Sequence, residues 1–338
     1  MRARIALDAR ITRQLSAGMQ TYVRELVARL PSAAPDFEFV TFAGGGNFGW
    51  AEHVRLPLAV RAAAPALTHY LSQYTPVLMP RPYVVTIHDL IHLLFPENFK
   101  SKVGPYYRSV VRHVAGRAAR VITDDARTIA DLQRFLGIAP ERVRVVPLGV
   151  QDVFLQPAVP YRGGRPYFFY SGNHREHKDL ATLFQAWEAL PEDISADLVI
   201  TGPDDIAAPQ LLRRNGEVIA LGNVTASELA GYYAGAVALV HPALREGFGL
   251  PMLEAMAAGC PVIACSDALP SVLEGSALTF PARDAVAASR AMQRVLADQG
   301  LRMKLVNEGR ARAAEFTWDR CARETANVYR EVVEESTR

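Results

Sequence analysis

Two glutamates with seven residues between them, Glu246 and Glu254, frame the run Gly247-Phe248-Gly249-Leu250-Pro251. Pro251 suits the first turn of a helix, where its missing N–H costs nothing. Gly259 suits the position just past a helix end. A helix over Pro251–Ala258 is therefore predicted behind a glycine-bearing loop. The backbone N–H groups of Gly247, Phe248, Gly249 and Leu250 would gather at its start and favour an anion. Glu254, one turn in, can reach a neutral hydroxyl beside that anion. A carboxylate at Glu246 is unfavourable next to a phosphate unless it serves a hydroxylated neighbour such as a sugar. An ordinary surface loop with two solvated glutamates would use the same residues.

The first half offers two more positions. In Val84-Val-Thr-Ile-His88-Asp89, His88 closes a β-branched run that reads as a strand, which would present it at the strand end. Asp89 can orient that imidazole or cap the next helix. A lone histidine is more often structural, so its position is the argument for a role. In Ser16-Ala-Gly18-Met-Gln-Thr-Tyr22, Gly18 would let the backbone at a helix start approach a ligand.

The elements that must hold these residues alternate. Strand runs are expected at Arg4–Leu7, Phe37–Phe42, Tyr83–His88, Arg120–Thr123 and Val143–Val146, then at Tyr167–Ser171, Leu198–Thr201, Val218–Leu221, Val237–Val240, Val262–Ala264 and Leu278–Phe280. Helical periodicity lies between them, as in Thr21–Leu30, Tyr106–Ala119, Leu180–Ala189 and Ala226–Tyr233. This α/β alternation predicts parallel sheets with helices on both faces. The 338 residues suit two domains, and Pro147, Gly149, Pro157, Pro160, Gly163 and Gly164 crowd between them as a linker. Open sheets of this kind bind ligands at the carboxyl ends of their strands.

Composition narrows the class. Half of the residues are hydrophobic, enough for ordinary cores and too many for a disordered chain. Cys260, Cys265 and Cys321 fit neither a disulfide framework nor a metal cassette, and a reducing compartment is expected. The uncharged run between Arg61 and Arg81 holds Pro65, His69, Pro76 and Pro80, so it is no membrane span. Residues 1–150 carry 19 basic and 11 acidic residues, against 18 and 24 in the remainder. Such asymmetry suggests that the first half meets an anionic partner. No groove-reading module or aromatic-basic interleaving points to nucleic acid.

Glu246 and Glu254, within Glu-Gly-Phe-Gly-Leu-Pro-x-Leu-Glu-Ala-Met-Ala-x-Gly-x-Pro-Val-Ile, resemble the E-x7-E signature of glycosyltransferase family 4. The likeness extends over nearly the whole chain. It implies the GT-B fold: two Rossmann-like, doubly wound domains facing across a central cleft. Residues 1–150 would form the acceptor domain and 151–318 the nucleotide-sugar domain. A C-terminal helix at 319–338 would pack back toward the first.

The resemblance also implies roles. Glu246 would contact the donor sugar, Gly247–Leu250 the sugar and diphosphate, and Glu254 the ribose. In Tyr170-Ser-Gly172-Asn173-His-Arg175-Glu-His177-Lys178-Asp-Leu180, Lys178 matches the family's lysine, while His177 stands where arginine is usual. Arg175 is then the substitute cation for a diphosphate whose charge grows as the glycosidic bond breaks. Gly172, Asn173 and Val224, the last in Leu221-Gly-Asn-Val224, would line the nucleotide. His88 would lie beside the donor sugar, and Gly18 against donor phosphate or acceptor.

The implied enzyme is a retaining hexosyltransferase whose departing phosphate takes the acceptor proton. No metal and no cofactor are expected beyond the nucleotide-sugar substrate. No clear Asp-x-Asp is present, and Asp124-Asp125 and Asp204-Asp205 read as turn or cap residues. The segment His88-Asp-Leu-Ile-His-Leu-Leu-Phe-Pro-Glu97 resembles the mannosyltransferase B-like branch. It points to GDP-mannose as donor and a growing, lipid-linked surface glycan as acceptor. UDP-, ADP- or dTDP-sugar donors, a nucleotide-sugar epimerase and a non-catalytic scaffold are the alternatives. From Asn98 through Thr123 there are six basic residues and no acid. That segment predicts peripheral contact with anionic membrane for a protein whose cysteines point to the cytoplasm.

Overall fold

The computed structural model describes residues 2–11, 15–44, 50–203, 215–267 and 269–337. The chain divides into two compact units, residues 1–149 with 317–338, and residues 150–316.

The first unit holds a six-stranded sheet: β1 (Ala3–Asp8), β2 (Phe37–Phe42), β3 (Leu67–Tyr70), β4 (Tyr83–Thr86), β5 (Arg120–Thr123) and β6 (Val143–Val145). Its order is β2-β1-β3-β4-β5-β6, and every pairing is parallel. The chain leaves β1 toward β2 and returns on the other side at β3, so the topological switch point lies between β1 and β3. Strand β3 was not anticipated. Its four residues are all buried, and a short run buried on both faces shows no alternation.

The first helix spans Ala17–Ala33, longer than its periodicity suggested, because the Ser16 hydroxyl accepts the Met19 N–H at its start. The expected helix at Tyr106–Ala119 forms as Val103–Tyr106, a wider turn over Tyr107–Val111, and Arg112–Arg117. Tyr107, Val111, Val114 and Ala115 face the core, while Arg108, Arg112 and Arg117 are exposed. The helix Trp318–Thr337 buries Trp318, Cys321, Ala322, Thr325, Ala326, Val328, Tyr329 and Val332 in this same unit. Its Glu331 receives Arg120 at 2.7 Å and also pairs with Arg144.

The second unit holds β7 (Tyr167–Ser171), β8 (Asp197–Thr201), β9 (Val218–Ala220), β10 (Ala238–His241), β11 (Val262–Cys265) and β12 (Leu278–Phe280). Their order is β12-β11-β10-β7-β8-β9, again parallel throughout. The switch point here lies between β7 and β10. Phe168, Tyr170, Leu198, Ile200, Val240 and Ile263 pack with Leu183 and Trp187 of the helix Leu180–Glu188. Each such side chain contributes about 1.5–3 kcal/mol by leaving water. Of the Pro- and Gly-rich stretch, Pro147 and Gly149 fall in the first unit and Pro157, Pro160, Gly163 and Gly164 in this one, where Tyr161 N–H donates to the Gly231 carbonyl at 2.9 Å and its ring lies against Tyr167 and Tyr232.

Among the described residues no helix is long and apolar enough to cross a membrane. No group of three or more His, Cys, Asp or Glu among them could hold a metal ion.

Candidate active site

At the switch point of the second sheet, β10 ends on His241 and β7 runs into the turn Glu176–Lys178. The Leu244 N–H donates to the His177 carbonyl at 2.8 Å and ties the two loops together. Two side chains then converge on one atom of a third. Glu246 Oε1 accepts from Lys178 Nζ and, at 2.5 Å, from His241 Nε2. All three are buried, His241 to 1% exposure. Burial alone would raise the Glu246 carboxyl, but the Lys178 ammonium and the His241 imidazole hold it well below the usual carboxylate range. Tyr170 of β7 stacks on His241 with 12° between the rings.

The helix after the glycine loop spans Leu250–Ala257, one residue earlier than expected, because Gly249 serves as its N-cap. Gly249 has φ +82°, and a Cβ there would meet Met252 and Pro270 at 2.8 Å, so glycine is required. Its carbonyl accepts Met252 N–H at 3.0 Å and Leu253 N–H at 3.1 Å. Phe248 is buried with its ring against Phe316, so it serves packing while its backbone forms the loop. Glu254 lies on this helix beside Tyr233. Burial pushes its carboxyl up to about 8, with the Tyr233 hydroxyl acting in the opposite direction.

The remaining positions in this unit lie at the ends of β7, β8 and β9. Gly202 approaches the loop after β7 so closely that a Cβ would fall 2.2 Å from the Gly172 carbonyl oxygen. Gly202 N–H donates to the Gly222 carbonyl at 3.0 Å, and Thr201 Oγ1 donates to the same oxygen at 2.6 Å. Gly172, Asn173 and the 221–224 turn with Val224 are thereby drawn to one edge of the sheet. Asn173 is used within its own loop: its carbonyl accepts from Tyr170 and its Oδ1 from the Arg175 N–H at 3.3 Å. Arg175 is exposed, in contrast to the buried Lys178.

In the first unit His88 follows β4 and is buried. Its Nδ1 is 2.6 Å from Asp124 Oδ2, while Nε2 has no hydrogen-bond partner among the described residues. Burial lowers the pKa of His88, but the charge and hydrogen bond of Asp124, with the charge of Asp89, act the other way and the net direction is upward. The Tyr22 ring stands edge-on to the imidazole, 4.8 Å between centroids. Tyr22 is itself bonded to Thr86 at 2.9 Å, Thr86 to His69 Nε2 at 2.8 Å, and His69 Nδ1 to Tyr329 at 2.6 Å. Gly18 lies inside the first helical turn, where backbone N–H groups lack partners within the helix.

Some assignments gain or lose a role. Asp124 lies in the bend after β5, as expected of a turn residue, and there it also orients His88. Its neighbour Asp125 does cap, with Oδ1 accepting the Arg127 N–H at 2.8 Å. Asp89 does not touch His88 through a hydrogen bond; its Oδ1 accepts the Ile91 N–H at 3.0 Å. Asp204 and Asp205 lie outside the described residues. Three participants went unnoticed in sequence: Asp124, His241, and the buried Asp8–Arg10 pair at the β1–β3 switch point, joined at 2.6 and 2.7 Å. Strand-end position was the available signal for each, since β10 ends at His241, β1 at Asp8, and β5 one residue before Asp124.

Residues 165–298 match the sequence model described as glycosyl transferases group 1, and residues 46–153 match glycosyltransferase family 4. The chain is 27% identical over 292 residues to O-antigen chain mannosyltransferase B of Escherichia coli, covering 80% of this chain and 76% of that protein. It spans only about half the length of several other curated relatives. The fold of sucrose-phosphate synthase from Thermosynechococcus elongatus superposes with TM-score 0.72 at 22% identity, covering 99% of this chain and 100% of that one. Alr3699/HepE of Anabaena, solved with UDP-glucose, gives 0.74 at 15% identity over 97% and 100%. Two parallel six-stranded sheets with these neighbours define the GT-B fold. The protein is a glycosyltransferase, with one half of the chain matching the group 1 model and the other the family 4 model.

Proposed function

We propose that this enzyme is a retaining hexosyltransferase that takes mannose from GDP-mannose and places it on a hydroxyl of a growing, lipid-linked surface glycan. The observation that carries the reading is the convergence of Lys178 and His241 on Glu246, beside a glycine loop that opens a helix. Cations, backbone N–H groups and a carboxylate held ionised suit a sugar attached to a diphosphate. The amides of Gly247 to Leu250 bind the diphosphate, and Glu246 accepts from a sugar hydroxyl. Glu254 binds the ribose. Lys178 stabilises the leaving diphosphate, with Arg175 closing from the solvent side. Gly172, Asn173 and Val224 line the nucleotide through their backbone. The first unit supplies the acceptor side, with His88 poised through Nε2 and Gly18 at a helix start. The leaving phosphate takes the acceptor proton, and the nucleotide-sugar is consumed as substrate.

Mannose and a surface glycan are favoured by the name of the Escherichia coli relative. A UDP-sugar donor is the second reading, favoured by the UDP-glucose complex of the Anabaena neighbour. The exposed Arg108, Arg112 and Arg117 support peripheral contact with the inner face of the cytoplasmic membrane. Each cation near an anionic surface contributes about 1 kcal/mol. Reversing Arg108 and Arg112 to Glu should release the protein from vesicles containing anionic lipid; undiminished binding would remove this part of the reading.

A melting-temperature panel with GDP, UDP, ADP and dTDP, with and without magnesium, tests the donor. A ligand at a hundred times its Kd stabilises by about 2.7 kcal/mol. A shift with GDP alone, indifferent to magnesium, is expected. A shift with UDP alone replaces the donor, and no shift with any nucleotide overturns the assignment of the second unit.

A further inference from the structure

The cluster around Glu246 has a charge problem. Lys178 and Glu246 are both buried and in direct contact, so the lysine's positive charge is compensated by the carboxylate. A neutral His241 adds nothing, and the trio then presents no net charge to a diphosphate. Arg175, the other cation of this loop, is exposed. His241 is the group that can change the balance. Its Nε2 already bonds Glu246 Oε1 at 2.5 Å, so its ring is fixed in place. Its Nδ1 is buried with no hydrogen-bond partner among the described residues. The charged and titratable groups against it include Glu246 on its own loop, Lys178 on the loop after β7, which meets the same carboxylate oxygen, and the stacked Tyr170 of β7. Its register partner on β11 is Ala264, which carries no charge.

We propose that nucleoside diphosphate binding is coupled to uptake of one proton by His241, which turns the Lys178–Glu246–His241 cluster from neutral to singly positive. The proposal rests on the reading of the second unit as a nucleotide-sugar site. The proton comes from solvent and enters at Nδ1, and the Nε2 bond to Glu246 is kept. The imidazolium then offsets Glu246, and the Lys178 charge is released to face the diphosphate while the ammonium keeps its contact with the carboxylate. Burying a second cation beside Lys178 is unfavourable without the incoming anion. This makes the proton uptake conditional on the ligand.

Calorimetric titration of the full-length protein at pH 7.5 tests this, using GDP, or UDP if only UDP raises the melting temperature. The same titration is run in phosphate and in Tris, whose ionisation enthalpies differ widely. The slope of observed enthalpy against buffer enthalpy counts protons taken up on binding. The comparison is His241→Gln, which keeps an N–H donor toward Glu246 but cannot accept a proton. Proton release from the nucleotide phosphate or from Glu254 enters both titrations equally. Wild type should take up more protons than His241→Gln, by a sizeable fraction of one. Nucleotide binding with equal proton counts in the two proteins overturns the proposal and leaves the nucleotide site standing. If His241→Gln does not fold, an NMR spectrum of the wild-type His241 ring with and without nucleotide decides: an unchanged protonation state on binding overturns the proposal. Absence of nucleotide binding overturns both the site and the proposal.

Discussion

His69 and Tyr329 are 260 positions apart in the chain and share a hydrogen bond of 2.6 Å. The bond joins β3 to the helix Trp318–Thr337 inside the first unit. From His69 the contacts run through Thr86 to Tyr22, whose ring stands against His88. Burial lowers the His69 pKa to about 3, so its ring is neutral and offers one donor and one acceptor. The final helix is thus tied by a continuous buried chain of hydroxyls and one imidazole to the residue expected to act.

Tyr329→Phe removes the partner of His69 Nδ1 and leaves a buried polar atom unsatisfied, at a cost of about 1–3 kcal/mol. The melting temperature should fall accordingly. Tyr22→Phe keeps the ring against His88 but releases it from Thr86. If the chain positions His88, Tyr22→Phe lowers kcat more than it raises the acceptor KM. Equal changes in both constants would assign the chain to stability alone.

Asp124→Asn should act differently from Asp125→Asn. The asparagine carbonyl can still accept from His88 Nδ1, so the fold survives, but the charge that raises the His88 pKa is gone. Burial then dominates and the His88 titration moves to lower pH. A shift of one pH unit corresponds to about 1.4 kcal/mol. An NMR titration of the His88 ring measures it directly, and the corresponding limb of the pH–rate profile should move with it. Asp125→Asn disturbs the cap at Arg127 and should change stability with an unchanged profile.

Much of this fold was legible because the strands are β-branched runs separated by amphipathic helices, as in Arg120–Thr123 and Leu180–Glu188. The E-x7-E stretch carried the second unit's site, since Gly249 and Pro251 act through local backbone geometry. What escaped depends on long-range contacts. Leu67–Tyr70 has no pattern to betray it, because both of its faces are covered. Asp124 looks like the capping residue that Asp125 is, and only the β4–β5 pairing brings it to His88. His241 gains its meaning from Glu246 and from Lys178, a partner 68 positions from that glutamate.

Lys178→Ala separates ground-state binding from turnover. If Lys178 meets charge that grows as the bond breaks, kcat should fall roughly 100- to 1,000-fold, as for loss of one preorganised donor. Donor affinity should change far less. Removing one partner of a buried pair also destabilises, by about 3–5 kcal/mol. Circular dichroism must therefore confirm a folded variant, and kcat is read below its transition. Equal loss in kcat and donor affinity would remove the leaving-group role.

Glu254 links the nucleotide site to stability through its raised pKa. The unfolded chain ionises this carboxyl near 4.5 and the folded protein near 8. Between those values the unfolded state sheds a proton that the folded state retains, so the stability of the second unit falls as pH rises. The slope attributable to this group is at most about 1.4 kcal/mol per pH unit and vanishes above the folded pKa. Glu254→Gln cannot ionise and should flatten the decline, making the variant relatively more stable at pH 8 than at pH 5. Its nucleotide affinity should nonetheless drop, by roughly tenfold, because the amide replaces the carboxyl that meets the ribose hydroxyls. Melting curves at the two pH values, with and without nucleotide, report both effects. A variant with unchanged affinity would move the ribose contact elsewhere, and one with the wild-type pH slope would assign that slope to other groups.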